Sequence, residues 1–457
     1  MPNRIEYQQV DSLKPYPGNP RRHSKAQVRQ IAASIRRFGF TNPVLVSDDN
    51  QIIAGHGRIL AAKQLGLDEV PTLRLSGMTD EERRAYVIAD NKIALNSGWD
   101  PQILAIELQA LIDLDFDVAL TGFSLAEVDL VLDVAQDSDP NADSGPEDEI
   151  PPVGSSAVTQ RGDVWILGRH RLLCGDARTA ADYARVLEGG HADLLFTDPP
   201  YNVPIDGHVT GLGRVRHREF AMGVGEMTEK QFSSFLAQTL GAAAASCKNG
   251  AIAFVCMDWR HIGELLDAGR KVFSELKNLC VWNKTNGGMG TFYRSKYELV
   301  FVFKIGDAAH VNTFGLGDTG RYRTNVWDYP GVSSVGAGRT EALAMHPTVK
   351  PTTLVADAIR DCSRRGEIVL DPFAGSGTTL IAAETCGRAS RVIEYDPLYC
   401  DVIVRRFERL TGKIAVLADT GESFQDLEGD PSIRARARPE DKPEAALRAA
   451  GPVRRTS

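Results

Sequence analysis

Two short motifs, each preceded by an apolar run, constrain this chain more than any other feature. Asp198-Pro199-Pro200-Tyr201 follows the run at 192–197 (ADLLFT), and the segment 371–378 (DPFAGSGT) follows the run at 367–370 (EIVL). Both runs indicate buried parallel strands. In a doubly wound sheet, ligands bind beyond the carboxyl ends of the strands. The sequence therefore predicts an α/β protein in which both motifs lie where such a sheet binds ligands.

The first motif offers acceptors for an amino group. The carboxylate of Asp198 and the backbone carbonyl of Pro199 can each accept one N–H, which draws the nitrogen toward sp³ geometry. The ring of Pro199 fixes the backbone so that this carbonyl points into the site. Tyr201 supplies an aromatic face on which an extruded base can stack. Since an ordinary carboxyl has a pKa of about 4, Asp198 is suited to polarising the amino group and not to removing its proton permanently.

The second motif indicates a cofactor. Gly375 and Gly377 let the backbone approach a ligand closely, and the helix predicted at 379–386 points its positive N-terminus toward a carboxylate. Glu394 lies about 23 residues after Asp371, at the end of an apolar stretch. An acid at this spacing can accept both hydroxyls of a ribose, as in nucleotide-binding βαβ units.

Together the motifs resemble the amino-methyltransferases of DNA, which use S-adenosylmethionine to methylate the exocyclic nitrogen of adenine or cytosine. The catalytic motif precedes the cofactor motif, which is the order of the β group of that family. The segments 282–284 (WNK) and 297–303 (YELVFVF) also resemble later strands of that group. The resemblance covers about residues 159–412 and implies a Rossmann-like methyltransferase fold.

The resemblance also implies the site residues. Asp176 would meet the adenine of the cofactor, the segment 346–351 would line the methionine pocket, and Phe373 would lie near the sulfonium, whose charge an aromatic face favours. The predicted catalytic residues are Asp198, Pro199, Pro200 and Tyr201. The predicted cofactor-binding residues are Asp176, Ala177, His346, Thr348, Lys350, Pro351, Asp371, Phe373, Ala374, Gly375, Ser376, Gly377, Thr378 and Glu394.

Five arginines are predicted to contact DNA. Arg214, Arg216 and Arg218 follow the catalytic motif in a segment suited to phosphate contacts, although a mobile surface loop explains them equally well. Arg321 and Arg323 fall in the short stretch where the β group usually recognises its target.

The N-terminal part resembles a different family. The segments 38–46 (FGFTNPVLV) and 51–58 (QIIAGHGR) resemble the ParB-like (ParB/sulfiredoxin) N-terminal domain, over about residues 4–95. In that family the turn holding His56 and Arg58 can bind a nucleotide phosphate. These side chains can equally be structural or contact DNA phosphates, and Gly57 replaces the first of two arginines often found there.

A basic face accompanies this domain. It can be a solvated surface or, in a chain that acts on DNA, a patch that positions phosphates. Its members are Arg21, Arg22, His23, Lys25, Arg29, Arg36 and Arg37.

Composition is that of a globular enzyme, with 43% hydrophobic and 25% charged residues among 457. The net charge of −8 is concentrated in acidic segments at 137–149 and 422–441, so it does not exclude nucleic acid. We find neither a signal peptide nor a membrane span and expect the protein in the cytoplasm. Seven widely spaced cysteines suggest neither a metal site nor disulfides, and we expect them reduced and mostly buried.

Composition also predicts four parts. Two of them are an acidic flexible linker at 136–158 and a disordered tail at 423–457. The resemblances imply that the part at 1–135 is a ParB-like domain with a helical extension and that the part at 159–422 is a DNA methyltransferase domain.

The predicted function is transfer of a methyl group from S-adenosylmethionine to adenine N6 in double-stranded DNA. N4-cytosine methylation stays open, as does a ParB-like DNA-binding or nucleotide-switched protein with subordinate methyltransferase activity. RNA as the substrate, a homodimer, and a nucleotide at the ParB-like domain also stay open.

Overall fold

The computed structural model divides the chain into two compact units, residues 1–137 and 138–457. It describes residues 4–94, 96–114, 116–135, 145–202, 225–284, 293–314, 322–330 and 349–430. Within these ranges, no helix has both the length and the apolar character needed to cross a membrane. All seven cysteines lie within them and are buried, as expected.

The N-terminal unit has a four-stranded sheet in the order β1-β4-β2-β3. Ser24 and Asp100 cap the first and fourth of its helices by accepting backbone N–H groups at the helix start. The last two helices pack together around Ala105, Leu108 and Val128. The elements are β1 (Ile5–Gln9), α1 (Lys25–Phe38), β2 (Val44–Val46), β3 (Ile52–Ala54), α2 (His56–Leu65), β4 (Glu69–Arg74), α3 (Asp80–Ala94), α4 (Pro101–Asp113) and α5 (Leu125–Ala135).

The second unit has a ten-stranded mixed sheet in the order β11-β9-β10-β8-β7-β12-β13-β6-β5-β14. Its strands are β5 (Val164–Leu167), β6 (His170–Cys174), β7 (Ala192–Thr197), β8 (Cys247–Met257), β9 (Glu275–Asn283), β10 (Tyr297–Lys304), β11 (Val326–Asp328), β12 (Ile368–Asp371), β13 (Ala389–Glu394) and β14 (Val416–Leu417). Its helices are α6 (Ala180–Val186), α7 (Glu229–Ala245), α8 (Ile262–Val272), α9 (Thr352–Cys362), α10 (Thr378–Thr385), α11 (Pro397–Thr411) and α12 (Phe424–Gly429).

Helices cover both faces of this sheet. On β7, Leu195 packs into the cluster that includes α6, α7 and α8, whereas Leu194 and Phe196 pack into the cluster that includes α9 and α10. Because both faces are buried, β7 reads as one continuous apolar run. The predicted doubly wound α/β fold is confirmed.

Two predicted boundaries need correction. The linker was predicted to be flexible, but the backbone N–H of Thr352, at the start of α9, donates to the carboxylate of Asp148 at 2.9 Å, and the N–H of Val158 donates to Asp401 at 2.7 Å. The tail was predicted to begin at 423, yet Phe424 and Leu427 of α12 are buried. The rest of both segments, 136–144 and 431–457, lies outside the described residues.

Candidate active site

The site is built on one edge of the ten-stranded sheet. Strands β6, β13, β12, β7 and β8 are adjacent in that order and run parallel to one another. Their carboxyl ends therefore meet at the same edge. Asp198 follows β7, Asp371 ends β12, Glu394 ends β13, and Asp176 lies two residues after the end of β6. Four of the predicted acidic residues thus come together although they are distant in sequence.

Both carboxylate oxygens of Asp198 accept hydrogen bonds. The hydroxyl of Tyr201 donates to Oδ1 at 2.5 Å, and Nζ of Lys350 donates to Oδ2 at 2.6 Å. Burial raises the pKa of Asp198, while the positive charge of Lys350 opposes the increase. Burial also raises the pKa of Tyr201, so its phenol remains a donor. Pro199 is buried and Pro200 half-buried. The four residues of the predicted motif therefore lie together at this edge of the sheet.

Lys350 belongs to a chain of four charged groups. Its Nζ lies 2.9 Å from Oε2 of Glu298, and the other oxygen of Glu298 is paired with Lys284. Burial disfavours ionisation of Glu298, but the two lysines outweigh it and lower its pKa. Lys350 was predicted to bind the cofactor, yet its ammonium contacts the catalytic carboxylate. The structure thus places it beside Asp198, and its contact with the cofactor stays a prediction.

Asp371 fastens the two central strands together. Its Oδ1 accepts from the hydroxyl of Thr197 and the N–H of Phe373, both at 3.0 Å, and Oδ2 accepts from Thr379 at 2.6 Å. Burial raises its pKa to about 6. The carboxylate thus fixes the end of β7, which Asp198 follows, and the start of α10, which the cofactor turn precedes.

The cofactor turn, residues 373–378, has the backbone expected of a ligand cradle. Gly375 has φ +53° and Gly377, which caps α10, has φ +85°. A β-carbon added at Gly375 would meet no atom of the described chain within 4 Å. Open space beside a helix N-terminus fits the carboxylate of S-adenosylmethionine.

Glu394 stands next to this turn. Its Oε2 accepts the N–H of Gly375 and its Oε1 that of Asp396, both at 2.8 Å, and burial raises its pKa to about 7. Since a carboxylate offers about four acceptor positions, ribose hydroxyls still find acceptors there. The residues therefore fit the predicted cofactor.

Arg406, which the sequence reasoning missed, braces the cofactor turn. Its Nη1 donates to the carbonyl of Ser376 at 3.1 Å and the hydroxyl of Thr378 at 3.2 Å, and its Nη2 donates to the carbonyl of Glu147 at 2.7 Å. It is 2% exposed, and burial lowers its pKa to about 10. The sequence offers little signal for it, because Arg406 stands beside a second arginine, Arg405, after the apolar run at 402–404 of α11.

The remaining predicted cofactor residues lie around the same edge. The guanidinium of Arg178 binds both oxygens of Asp176 and lowers the pKa of that carboxyl. The ring of Phe373 lies 6.0 Å from that of Phe235, and the buried Pro351 precedes α9. The adenine contact of Asp176 and the sulfonium contact of Phe373 stay predictions. Ala177 and Ala374 are buried.

Of the predicted DNA-contacting residues, the structure describes Arg323. Its Nε donates to Asp361 at 2.9 Å and its Nη1 to the hydroxyl of Tyr329 at 3.0 Å. This internal ion pair holds the segment before β11 against α9, and we now assign Arg323 that structural role. The other predicted residues, Arg214, Arg216, Arg218 and Arg321, lie outside the described residues, as do His346 and Thr348 of the cofactor set.

The glycine turn of the N-terminal unit uses its polar side chains internally. Nη1 of Arg58 donates to the carbonyls of Asn42 at 2.6 Å and Pro43 at 2.8 Å, and the N–H of Tyr16 donates to Nε2 of His56 at 3.2 Å. A β-carbon at Gly57 would lie 3.0 Å from His23, which explains why a long side chain is absent there. These contacts favour the structural interpretation over the nucleotide-binding one.

Three family profiles match the chain. They are the ParB N-terminal domain at residues 2–92, the ParB-methyltransferase HTH domain at 102–161, and the N6/N4 family described as DNA methylase at 192–405. The second profile covers α4 and α5, for which the sequence predicted only a helical extension.

Individual proteins show the same division. The N-terminal part is 49% identical over 81 residues to a ParB-like nuclease domain-containing protein, YnaK, of Escherichia coli K12, covering 18% of this chain and 93% of that protein. The DNA adenine methyltransferase YhdJ of the same organism is 28% identical over 242 residues, covering 47% of this chain and 76% of that one. A solved structure of a DNA modification methylase from Thermus thermophilus, complexed with S-adenosyl-L-methionine, is 24% identical, covers 52% of this chain and 93% of that one, and has a TM-score of 0.36.

Proposed function

Because the chain belongs to the N6/N4 DNA methylases and carries a ParB N-terminal domain, we propose that it methylates the N6 amino group of adenine in DNA. The observation that carries this proposal is the carboxylate of Asp198 at the end of β7, beside Tyr201. N4-cytosine enzymes more often have a serine at the position of Asp198. The name of the similar protein YhdJ, a DNA adenine methyltransferase, agrees with this choice.

One group of residues is assigned to the cofactor and another to the target base. Bound S-adenosylmethionine supplies an electrophilic methyl group. The turn at Gly375 and Gly377 would hold its carboxylate, and Glu394 would accept its ribose hydroxyls. Asp198 and the carbonyl of Pro199 accept the two N–H groups of the target, which directs the nitrogen lone pair toward the methyl carbon. Formation of the N–C bond would break the methyl–sulfur bond and leave S-adenosylhomocysteine, and the methylated nitrogen, now acidic, would release one proton to solvent.

Nucleoside analysis tests the proposal directly. The full chain is incubated with S-adenosylmethionine and DNA, and the digested product is examined by mass spectrometry. We expect N6-methyladenine, and modification-sensitive sequencing then gives the target sequence. N4-methylcytosine instead would reject adenine while retaining the amino-methyltransferase chemistry.

Replacement of Asp198 tests its role. Asp198→Ala removes an acceptor for the amino group, so we expect methyl transfer to fall by about a thousandfold or more. Cofactor affinity should change by less than about tenfold, roughly 1.4 kcal/mol, because no cofactor contact is assigned to this residue. Asp267→Ala, which alters an exposed aspartate paired with Lys271, serves as the control and should retain activity. A large loss of cofactor affinity in Asp198→Ala would contradict the assigned role.

A further inference from the structure

One buried lysine is shared by the two carboxylates of the catalytic site. Nζ of Lys350 donates to Oδ2 of Asp198 at 2.6 Å and to the hydroxyl of Tyr201 at 3.3 Å, and it lies 2.9 Å from Oε2 of Glu298. Only 4% of the lysine side chain is exposed. Oε2 of Glu298 is buried and accepts no hydrogen bond from the described residues. The contact with Lys350 is thus close but not aligned for a hydrogen bond.

These hydrogen bonds compete with the one that Asp198 is proposed to accept from the target base. The target amino group needs an acceptor on Asp198, but Tyr201 and Lys350 already donate to both of its oxygens. Each oxygen keeps a further lone pair, but a carboxylate paired with an ammonium is a weaker acceptor for a neutral amino group, so transfer is favoured when the ammonium moves away as the base enters. Lys350 has another acceptor within reach, the unused oxygen of Glu298, and a small displacement of its ammonium would align that hydrogen bond.

We propose that Lys350 is a positioning residue that keeps Asp198 ionised until the base enters, and then donates to Glu298 in place of Asp198. The proposal rests on the proposed transfer to an amino group. No covalent bond changes and no proton leaves the lysine, which remains an ammonium throughout. Glu298, held by Lys284 on its other oxygen, is already in position to receive it.

The charges around Asp198 show why the lysine is needed. Its carboxylate is faced by Glu298 from β10, by the thiol of Cys256 from β8 and by Asp371 from β12. Burial raises the pKa of Cys256, so that group is neutral. Among these neighbours Lys350 supplies the positive charge. Without it Asp198 would become protonated, and a protonated carboxyl is a poorer acceptor.

Two substitutions should move the pH profile of kcat in opposite directions. Lys350→Met removes the charge that lowers the pKa of Asp198, so the acid limb should move up by at least about one pH unit, a tenfold loss per unit below the limb. Activity should partly recover as the pH is raised. Glu298→Gln removes a charge that raises the pKa of Asp198, so the acid limb should move down. Its maximal kcat should also fall, because Lys350 loses its alternative anionic partner.

Controls separate this role from a merely structural one. Lys271→Met, which alters an exposed lysine paired with Asp267, should keep the wild-type profile. Folding is checked by thermal unfolding and by the affinity for S-adenosylmethionine. If Lys350→Met does not fold, Lys350→Arg takes its place. The arginine retains the charge, so its acid limb should stay near that of wild type while kcat falls.

Three outcomes would overturn the proposal. These are an unmoved acid limb in folded Lys350→Met, a wild-type kcat in Lys350→Arg, and a Glu298→Gln variant with wild-type kcat and profile. In all three cases the variant is compared with an active wild-type enzyme, assayed on the base that the wild type methylates. A wild-type chain that does not methylate DNA would instead reject the proposed function.

Discussion

Each unit of the molecule contains a glycine turn that begins a helix, and the two turns differ in what lies beside them. Gly55 precedes α2 with φ +104°, and Gly377 precedes α10 with φ +85°. A β-carbon at Gly55 would lie 3.4 Å from the guanidinium of Arg58. One at Gly375 would have no neighbour within 4 Å in the described chain. The N-terminal turn thus lies against the protein's own cation, whereas the cofactor turn is closed at Gly377, where a β-carbon would lie 3.0 Å from Ile403, and open beside Gly375.

The placement of one arginine accounts for the difference. Arg58 lies over its turn and donates to the carbonyls of Asn42 and Pro43. Arg406 reaches the cofactor turn through the carbonyl of Ser376, and it leaves the space beside Gly375 open. A glycine turn before a helix is therefore not sufficient to predict a binding site. The position of the neighbouring cation decides whether a ligand can approach.

The largest expected effect comes from filling the open turn. Gly375→Val places a branched side chain where the ligand would lie, at a φ that costs a non-glycine residue about 1–2 kcal/mol. We expect cofactor affinity, measured by calorimetry, to fall by at least about a hundredfold, roughly 2.7 kcal/mol. The matched variant Gly55→Val should destabilise the N-terminal unit but leave cofactor affinity unchanged. If folded Gly375→Val binds the cofactor normally, the turn is structural and the contrast with Gly55 fails.

An intermediate effect should come from removing the support of Arg406. A chain shortened to begin at Ala157 lacks the Glu147 carbonyl that Arg406 contacts and the Asp148 carboxylate that receives Thr352. Leaving a buried donor unsatisfied costs about 1–3 kcal/mol. We expect a lower Tm and weaker cofactor binding than in a chain beginning at Gly145, which keeps both contacts. Equal Tm and equal affinity in the two shortened chains would show that the cofactor turn needs no support from this segment.

The predicted residues that the structure places at the carboxyl edge of the sheet share a local signal. Asp198 and Glu394 each end an apolar strand, and the glycine turn precedes a helix, so the pattern around each residue was informative. The contacts that complete the site have no such signal. Lys350 and Asp198 are 152 residues apart, and Arg406 and Glu147 are 259 apart. Partners at such separations are set by the packing of the whole sheet, so single-sequence reasoning did not anticipate the contact of Lys350 with Asp198 and missed Arg406.

The predicted bounds of the linker and of the tail differ from the structure for a related reason. Segments rich in Asp, Glu and Pro were predicted to be flexible because they contain few apolar residues. Two buried side chains, Phe424 and Leu427, are nevertheless enough to fold α12 onto the sheet, where Phe424 packs 5.3 Å from the ring of Trp165. Likewise, one carboxylate and one carbonyl fix the segment at Glu147 and Asp148. The average composition of a segment contains no information about such individual contacts.

The smallest expected effect concerns DNA binding by the N-terminal unit. Lys25, Arg29 and Arg36 are exposed on one side of α1, a helix without acidic residues. We expect their triple replacement by alanine to weaken DNA binding, and to reduce the slope of log affinity against log salt by about 0.9 for each phosphate that these side chains neutralise. The kcat at saturating DNA should be unchanged, because these residues do not touch the reacting base.

Two comparisons sharpen this last prediction. Lys63→Ala, which removes an exposed lysine paired with Asp11, should leave the salt slope unchanged. Arg58→Ala should lower the stability of the N-terminal unit without altering the slope, because its guanidinium donates to the protein's own carbonyls. A smaller slope in Arg58→Ala would mean that the N-terminal turn contacts DNA after all. A much reduced kcat at saturating DNA in the triple variant would mean that the N-terminal unit helps to complete the active site.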